Sequence, residues 1–283
     1  MAGRLQFEAT TALDFFAALV ADDADFPVLE AAVAVAQDEY PELDVQGTLA
    51  RIDELGEQLR VRMPPDSAPL QRLRLLHPYF FQELGFGGNV NNYYDPANSL
   101  VPEVLRTRRG IPITLALIYI EIAASIGLKA EGISFPGHFL VKVQLSRGEI
   151  VIDPFDGRSL GRDELEERLQ PYRPGGASAG DGALLEQVLQ AARPRQVIAR
   201  MLANLRELYR SAGDRARLIA VQQRLVLLMP QVPAERRELA LALAHDGRHA
   251  AACDALSRYL QDCPDAGDAA ALRQQLRAWQ RPQ

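Results

Sequence analysis

His138 and Asp153, in the middle of the chain, have the residue types of a general base and the carboxylate that orients it. His138 opens the alternating stretch HFLVKVQL, and Asp153 closes the apolar stretch EIVID. Both stretches predict β-strands, and Ser146–Gly148 between them have turn chemistry. Any hairpin loop of even length places His138 and Asp153 on the same face of the sheet.

The position of that loop decides how close the two side chains come. A loop at Gln144–Arg147 sets His138 directly opposite Asp153. A two-residue loop at Arg147–Gly148 leaves them two same-face steps apart.

An apolar helix is predicted before these strands. The stretch from Ile113 to Ile126 is long for a strand and contains several alanines, which favours a helix. Pro112 suits its first turn because an N–H there would have no helical partner, and Gly127 supplies the stop. The stretch has few polar residues, so we expect the helix to be buried on most sides.

A buried helix, a strand with a histidine and a strand ending in an aspartate follow the Cys–His–Asp order of the transglutaminase-like superfamily. This chain resembles it in GHFLVKV and IVIDP. The resemblance implies a cysteine thiolate at the positively polarised helix N-terminus, with the histidine as base and the aspartate orienting it. Counting back from Gly127, the cysteine position is held by Pro112. His138 and Asp153 are therefore interpreted as a vestigial catalytic pair.

A longer resemblance covers most of the chain and is strongest from about Phe86 to Phe155. The string GNVNNYYDPANSLVPEVLRTRRGIPITLALIYIEIA, followed by FPGHFLV and DPF, is similar to the bacterial SirB-type family. Those proteins join a transglutaminase-like core to C-terminal tetratricopeptide-like helices. The implied fold is α+β and mostly helical, with a papain-like core that contains a small antiparallel sheet.

Four regions are predicted along the chain: a helical N-terminal segment at 1–69 that packs on the core, the transglutaminase-like core at 70–170, a Gly/Ala/Pro-rich linker at 171–182, and tetratricopeptide-like helices at 183–283. Helices before the core helix are predicted at Thr10–Asp22, Phe26–Asp38, Val45–Arg62 and Leu70–Glu83, and a short acidic helix within 158–168 follows the strands.

The C-terminal region contains a weak internal repeat. Leu205, Gly213 and Pro230 recur 34 residues later as Leu239, Gly247 and Pro264. This spacing is the tetratricopeptide period: a helix, a turn at the glycine, a second helix and a proline at its end. Two repeats and a terminal helix are few for an independent array, so we expect them to pack against the core.

The segment from Phe86 to Leu100 is rich in glycine and asparagine, which leaves two interpretations open. Such a composition is typical of a structured loop held by Tyr93 and Tyr94. Alternatively, the segment forms the rim of the His138 cleft, and the candidate binding residues are then Asn91, Asn92, Tyr93, Asn98 and, from the helix, Thr114.

Two hydroxyls could replace the missing thiol. Thr114 and Ser99 would each need accurate placement against His138 to act as a nucleophile. Thr114 lies in the first helical turn, where its hydroxyl can instead bond to the nearby backbone.

Composition excludes several classes of protein. A net charge of −6 and a pI near 5.4 argue against a general nucleic-acid binder. No stretch is apolar for about 18 residues, so no membrane span is expected. Cys253 and Cys263 have no further cysteines beside them, and Gly247 interrupts the His245/His249 pair. We therefore expect a reduced, cytoplasmic protein with no metal and no cofactor.

The primary functional hypothesis is a non-catalytic protein that binds a protein or peptide in its degenerate cleft, on its repeats, or on both. The alternative is an amide-bond hydrolase or acyl-transferase that uses His138 and Asp153 with a hydroxyl, a water or a distant cysteine as nucleophile. The enzyme hypothesis predicts a polar cavity beside His138, and the binding hypothesis predicts a cleft plugged by side chains. A scaffold that acts through its repeats alone is a third possibility. The sequence leaves the oligomeric state open.

Overall fold

A computed structural model describes residues 11–22, 26–173 and 182–280 of the chain. Most of the predicted linker at 171–182 lies outside these residues. The N-terminal helices are α1 (Ala12–Leu19), α2 (Val28–Ala34), which continues as a 3-10 turn to Asp38, and α3 (Val45–Val61). They confirm the three predicted helices, which are shortened by a few residues at their ends.

The next helix, α4 (Pro69–Pro78), continues through a π-helical turn at Tyr79–Glu83. The asparagine-rich loop follows and includes β1 (Gly87–Gly88), which pairs in parallel with β2 (Arg109–Gly110). Between these two short strands lies α5 (Val101–Thr107). This pairing brings the loop to the start of the central helix.

The central helix α6 (Pro112–Ser125) is buried along most of its length, as predicted. Pro112 occupies its first position, and Gly127 ends it with a φ of +67°. Its apolar side chains pack in one core with α2, α3 and the sheet. This helix is therefore the element against which the rest of the fold is built.

The described residues contain one antiparallel meander of four strands, in the order β3 (Ala130–Ile133), β4 (Leu140–Gln144), β5 (Glu149–Ile152) and β6 (Ser159–Leu160). The predicted β4–β5 hairpin is present. The sequence did not predict β3, and β6 lies where the start of a helix was expected. That helix, α7, spans Arg162–Leu169.

The hairpin register differs from both predicted alternatives. Gln144 pairs with Glu149, so the loop is Leu145–Gly148, closed by a hydrogen bond of 3.0 Å from the N–H of Leu145 to the carbonyl of Gly148. Gly148 has a φ of +83°, which only glycine adopts readily and which fixes the loop here. The loop length is even, as the same-face prediction requires, but His138 itself precedes β4 and is not part of the ladder.

The two faces of the sheet pack in different cores. The inner face contributes Phe139, Val141 and Val143 to the main core around α6. The outer face is covered by α7 and by α8 (Gly182–Val188), whose Leu185 packs with Leu140. Because both faces of the sheet are covered, β4 buries Leu140 on its outer face as well as Val141 and Val143 on its inner face.

The C-terminal helices are α9 (Pro194–Ala212), α10 (Arg215–Leu228), α11 (Pro233–His245), α12 (His249–Asp262) and α13 (Ala269–Trp279). Gly213 and Gly247 form the predicted turns, with φ of +71° and +79°. Leu205 of α9 and Val221 and Leu225 of α10 are buried in the main core, so the first repeat helices pack against it, as predicted. No helix of the described ranges is long and apolar enough to cross a membrane.

Candidate active-site remnant beside alpha6

His138 lies in the turn that leads into β4, not in the strand as predicted. The turn is closed by a hydrogen bond of 3.1 Å from the N–H of His138 to the carbonyl of Phe135. Gly137 has a φ of +69°, and a Cβ at this position would collide with the hydroxyl of Tyr172. The turn therefore requires glycine immediately before the histidine.

Asp153 follows the last residue of β5, and its carboxylate contacts His138. His138 Nε2 lies 2.8 Å from Asp153 Oδ1, which also accepts a hydrogen bond of 3.0 Å from the N–H of Phe155. The other oxygen, Oδ2, accepts from Nη1 of Arg168 on α7 at 2.8 Å. The structure thus brings together the predicted pair and adds an arginine.

The electrostatics of Asp153 favour its charged form. Burial, which leaves its side chain 4% exposed, raises the pKa of the carboxyl. The hydrogen bonds from His138 and Arg168 outweigh this effect, and the net pKa is lower than that of an ordinary aspartate. Asp153 is therefore a carboxylate at neutral pH with two positively polarised partners.

A cavity of about 60 Å³ lies between His138 and the N-terminus of α6. Pro112 and Ile113 line it, so the position implied for a nucleophile by the family resemblance faces the histidine. At roughly 30 Å³ per water molecule, the cavity has room for about two. Among the described residues, no side chain makes a hydrogen bond to His138 Nδ1. The site is thus a small polar cavity, neither fully plugged nor provided with a nucleophilic side chain.

The two candidate hydroxyls are buried, and neither makes a hydrogen bond. Thr114 and Ser99 are 0% exposed, and their Oγ atoms have no partner within the described parts of the chain. The predicted bond from Thr114 to the nearby backbone is therefore absent. Ser99 lines a second cavity of about 250 Å³, which shares Tyr93, Ile111 and Asn204 with the smaller one.

The asparagine-rich loop is both a structured loop and part of the cleft rim. The Nδ2 group of buried Asn98 donates to the carbonyls of Asn92 and Tyr93, at 2.6 and 3.1 Å. Asn92 itself donates to Asp95 at 2.9 Å. Asn92 and Asn98 thus shape the loop, and Asn91 is exposed.

Tyr93 is the loop residue that reaches the cleft, since it lines both cavities and is 42% exposed. Its ring packs edge-on against Tyr94 at 5.4 Å and lies 6.0 Å from the ring of Phe155. A Cβ on Gly88 would collide with Phe155, so glycine at this position allows the loop to approach the Asp153 segment. The rim is therefore aromatic.

The opposite wall of the cleft comes from α9, which sequence analysis did not implicate in the site. Arg200 and Asn204 line the small cavity, and Asn204, Leu208 and Ser211 line the larger one. These positions are three or four apart, so they share one helix face. That spacing was visible in the sequence, but the packing of α9 beside His138 was not.

Arg200 is held by the turn that carries His138. Its Nη1 donates to Ser134 Oγ at 2.9 Å and to the carbonyl of Phe135 at 2.8 Å. Its guanidinium also lies 5.8 Å from the ring centre of Phe139. Burial lowers the pKa of Arg200, and no carboxylate pairs with it in the described ranges.

The remaining sequence candidates lie in the repeats. Cys253 and Cys263 are free thiols on and after α12. No group of histidine, cysteine, aspartate and glutamate within the described residues has the arrangement of a metal site.

Comparison with known proteins identifies two sequence families along the chain. Residues 46–203 match the transglutaminase-like superfamily. Residues 205–277 match the tetratricopeptide repeat. The first match covers the elements that carry His138, Asp153 and Arg200, and the second begins within α9.

Similar chains occur in several bacteria under the name UPF0162 protein. One from Xylella fastidiosa is 37% identical over 244 residues, which cover 86% of each chain. One from Pseudomonas aeruginosa is 30% identical over 72% of each chain. One from Vibrio cholerae is 25% identical over 90% of this chain and 94% of its own. No solved structure matches this chain.

Proposed function

We propose that this chain, which belongs to the transglutaminase-like superfamily and carries tetratricopeptide repeats, is non-catalytic. Its function on this proposal is to bind a protein or peptide partner. The partner binds in the cleft between His138 and α9 and extends onto the repeats. The observation that carries the proposal is the position of Pro112. This residue, which has no reactive group, stands at the N-terminus of α6 and lines the cavity beside His138.

The environment of Asp153 supports a structural role for the His138–Asp153 pair. In a working triad the carboxylate stabilises the imidazolium that forms when the histidine accepts a proton. Here Arg168 binds the second oxygen of the same carboxylate at 2.8 Å. The guanidinium offsets part of the negative charge that would act on His138, so the pair is better suited to holding the turn than to driving proton transfer.

The rim of the cleft supports binding. Tyr93 and Tyr94 present exposed aromatic surface beside two connected cavities. The α9 wall opposite offers amide and hydroxyl groups, the guanidinium of Arg200 and the carboxylate of Glu207. Aromatic residues with a polar tip are enriched at protein interfaces because they bury a large area with little loss of side-chain entropy. A peptide bound in the cleft would continue along the repeats, because α9 forms one wall of the cleft and also belongs to the repeat region.

The alternative function is hydrolysis or acyl transfer at an amide bond, and one observation favours it. Nδ1 of His138 has no protein partner among the described residues, and the cavity beside it has room for about two water molecules at roughly 30 Å³ each. A water held there could serve as the nucleophile with His138 as base. We also propose a cytoplasmic location, on the basis of the free thiols of Cys253 and Cys263.

The experiment is acylation of the full-length protein with a panel of hydroxyl- and thiol-directed probes. Wild type is compared with His138→Ala, Pro112→Cys and the double variant Pro112→Cys/His138→Ala. Circular dichroism checks that each protein folds, and peptide mapping by mass spectrometry locates the label. Mapping also separates labelling at position 112 from labelling at Cys253 and Cys263. The same four proteins are then incubated with a fluorogenic amide library to detect turnover through water.

We expect wild type to be inert in both assays. We also expect Pro112→Cys to be labelled at position 112, because the helix N-terminus stabilises a thiolate, and more slowly in the double variant. This result would show a cleft whose geometry persists without its chemistry. Labelling or turnover by wild type that disappears in His138→Ala would overturn the proposal in favour of the enzyme.

A further inference from the structure

We infer that the small cavity at the N-terminus of α6 binds a carboxylate of the peptide partner. This inference rests on the proposed function and names the chemical group that the cleft recognises. In an active member of the superfamily, a thiolate would supply the negative charge at this helix end. In this chain Pro112 supplies no negative charge, but the helix N-terminus and the guanidinium of Arg200, which favour an anion, are still present.

Arg200 is a cation without a counter-ion among the described residues. Both hydrogens of Arg200 Nη1 are used, on Ser134 and Phe135, which leaves the Nε and Nη2 donors without a protein acceptor in the described ranges. A partly buried guanidinium normally pairs with a carboxylate, because desolvating an unpaired charge is costly. The Arg200 side chain lines the cavity, so an anion there would complete its pairing.

The start of α6 has no side-chain cap. Ile111 at the cap position makes no side-chain hydrogen bond, and the first helical bond runs from Leu115 to Ile111 at 3.1 Å. The N–H groups of Ile113 and Thr114 therefore have no acceptor in the described residues. Together they give the helix end the partial positive charge that favours an anion.

The rest of the lining also suits an anion. Asn204 and Tyr93 can each donate a hydrogen bond, His138 can donate from Nδ1 when it is protonated, and no carboxylate of the described chain lines the cavity. Asp153, just behind His138, has its charge engaged by His138 and Arg168. The cavity thus has a guanidinium and several donors but no anionic group, which is the reverse of a cation site.

The neighbouring cavity gives room for the residue that carries the carboxylate. It shares Tyr93, Ile111 and Asn204 with the smaller one and measures about 250 Å³. Glu207 also lines it, and its carboxylate is paired with Arg210 at 2.7 Å. Its lining includes the hydroxyl of Ser99, which is wholly buried and unpartnered. A buried hydroxyl without a partner points to a group that arrives with the ligand.

The test uses the full-length protein labelled with ¹⁵N. NMR follows the arginine Nε–Hε resonances and the backbone amide resonances of Ile113 and Thr114, which remain present in every variant and give its affinity. N-acetylglycine is the probe, and N-acetylglycinamide is its neutral counterpart of the same shape. N-acetylaspartate α-amide, whose single carboxylate is on the side chain, separates a side-chain carboxylate from the carboxylate of a chain terminus. Arg200→Gln removes the cation, and Arg200→Lys keeps the charge. Arg60→Gln, in an exposed ion pair with Glu57, is the matched control.

We expect N-acetylglycine or N-acetylaspartate α-amide to shift the wild-type Arg200 resonance and the Ile113 and Thr114 amide resonances saturably, and N-acetylglycinamide not to. Affinity should fall by about tenfold or more in Arg200→Gln, fall less in Arg200→Lys, and stay unchanged in Arg60→Gln. Equal binding of the amide, wild-type affinity in Arg200→Gln, or tighter binding of inorganic phosphate would each overturn the carboxylate assignment.

Failure of this inference is distinguishable from failure of the proposed function. Longer peptides with every carboxylate blocked are titrated against wild type and Tyr93→Ala. If they bind wild type and lose affinity in Tyr93→Ala, the cleft binds peptide without a carboxylate, and only the present inference is overturned.

Discussion

Arg168 and His138 hold the two oxygens of a single carboxylate. Arg168 Nη1 lies 2.8 Å from Oδ2 of Asp153, and His138 Nε2 lies 2.8 Å from Oδ1. The arrangement joins α7, the turn before β4 and the end of β5 through one buried group. This arrangement gives the His138–Asp153 pair a structural role.

The first prediction concerns the strength of this junction. Asp153→Ala should lower the free energy of unfolding by about 3 kcal/mol, because it leaves two polarised groups and a backbone N–H without their acceptor. Arg168→Met should cost less, about 1–2 kcal/mol, since His138 still pairs with the carboxylate. Urea denaturation measures both. Asp163→Ala, an exposed position on α7, should have almost no effect; an equal loss there would contradict this account.

The second prediction concerns pH. The pKa of Asp153 is lower in the folded protein than its ordinary value, so its ionised form stabilises the fold at neutral pH. As the pH falls below about 3.9, the unfolded chain takes up the proton first, and the contribution is gone below the folded pKa. The gap in unfolding free energy between wild type and Asp153→Asn should therefore narrow from neutral pH toward acid. A gap of constant size between about pH 7 and pH 3 would refute this.

The third prediction concerns the turn that holds His138. Gly137→Ala should cost about 1–3 kcal/mol, because φ is +69° and the new methyl group collides with Tyr172. It should also move the imidazole ¹H–¹³C resonances of His138. Gly148→Ala is the matched control, since its φ is +83° with no atom within 4 Å of the added Cβ. It should lose some stability while the His138 resonances stay in place; resonances that move equally in both variants would contradict the prediction.

The fourth prediction concerns the contact between the N-terminal helices and the repeats. Arg224 of α10 is 1% exposed and donates to the carboxylate of Asp38, and two of its guanidinium nitrogens have no partner. Asp38→Ala should cost about 3 kcal/mol, because it strands a buried cation.

A double variant tests whether the same pair stabilises the fold at all. Burial raises the pKa of Asp38 even with Arg224 beside it, so the fold disfavours the charged carboxylate. Asp38→Leu/Arg224→Met should therefore recover most or all of the lost stability in thermal denaturation. A double variant as unstable as Asp38→Ala would show that the ion pair itself is required.

The sequence predicted the helices well because each carries its own local signals. Pro112 and Gly127 bound α6, and Gly213 and Gly247 mark the turns between repeat helices, since these backbone conformations suit few other residues. The strands β3 and β6 were missed because each is short and gains its stability from its neighbours in the sheet. The hairpin register was also missed, as it depends on which glycine closes the loop.

For the site, the sequence by itself determined that the start of α6 has a proline where the family resemblance implies a nucleophilic cysteine. His138, Asp153 and the proline at the start of α6 were identified from motif and spacing, because the order of helix and strands is local information. Only the tertiary structure decided what surrounds them. Arg168 and Arg200 lie on α7 and α9, outside the hairpin, so only the packing of these helices brings their charges to Asp153 and His138.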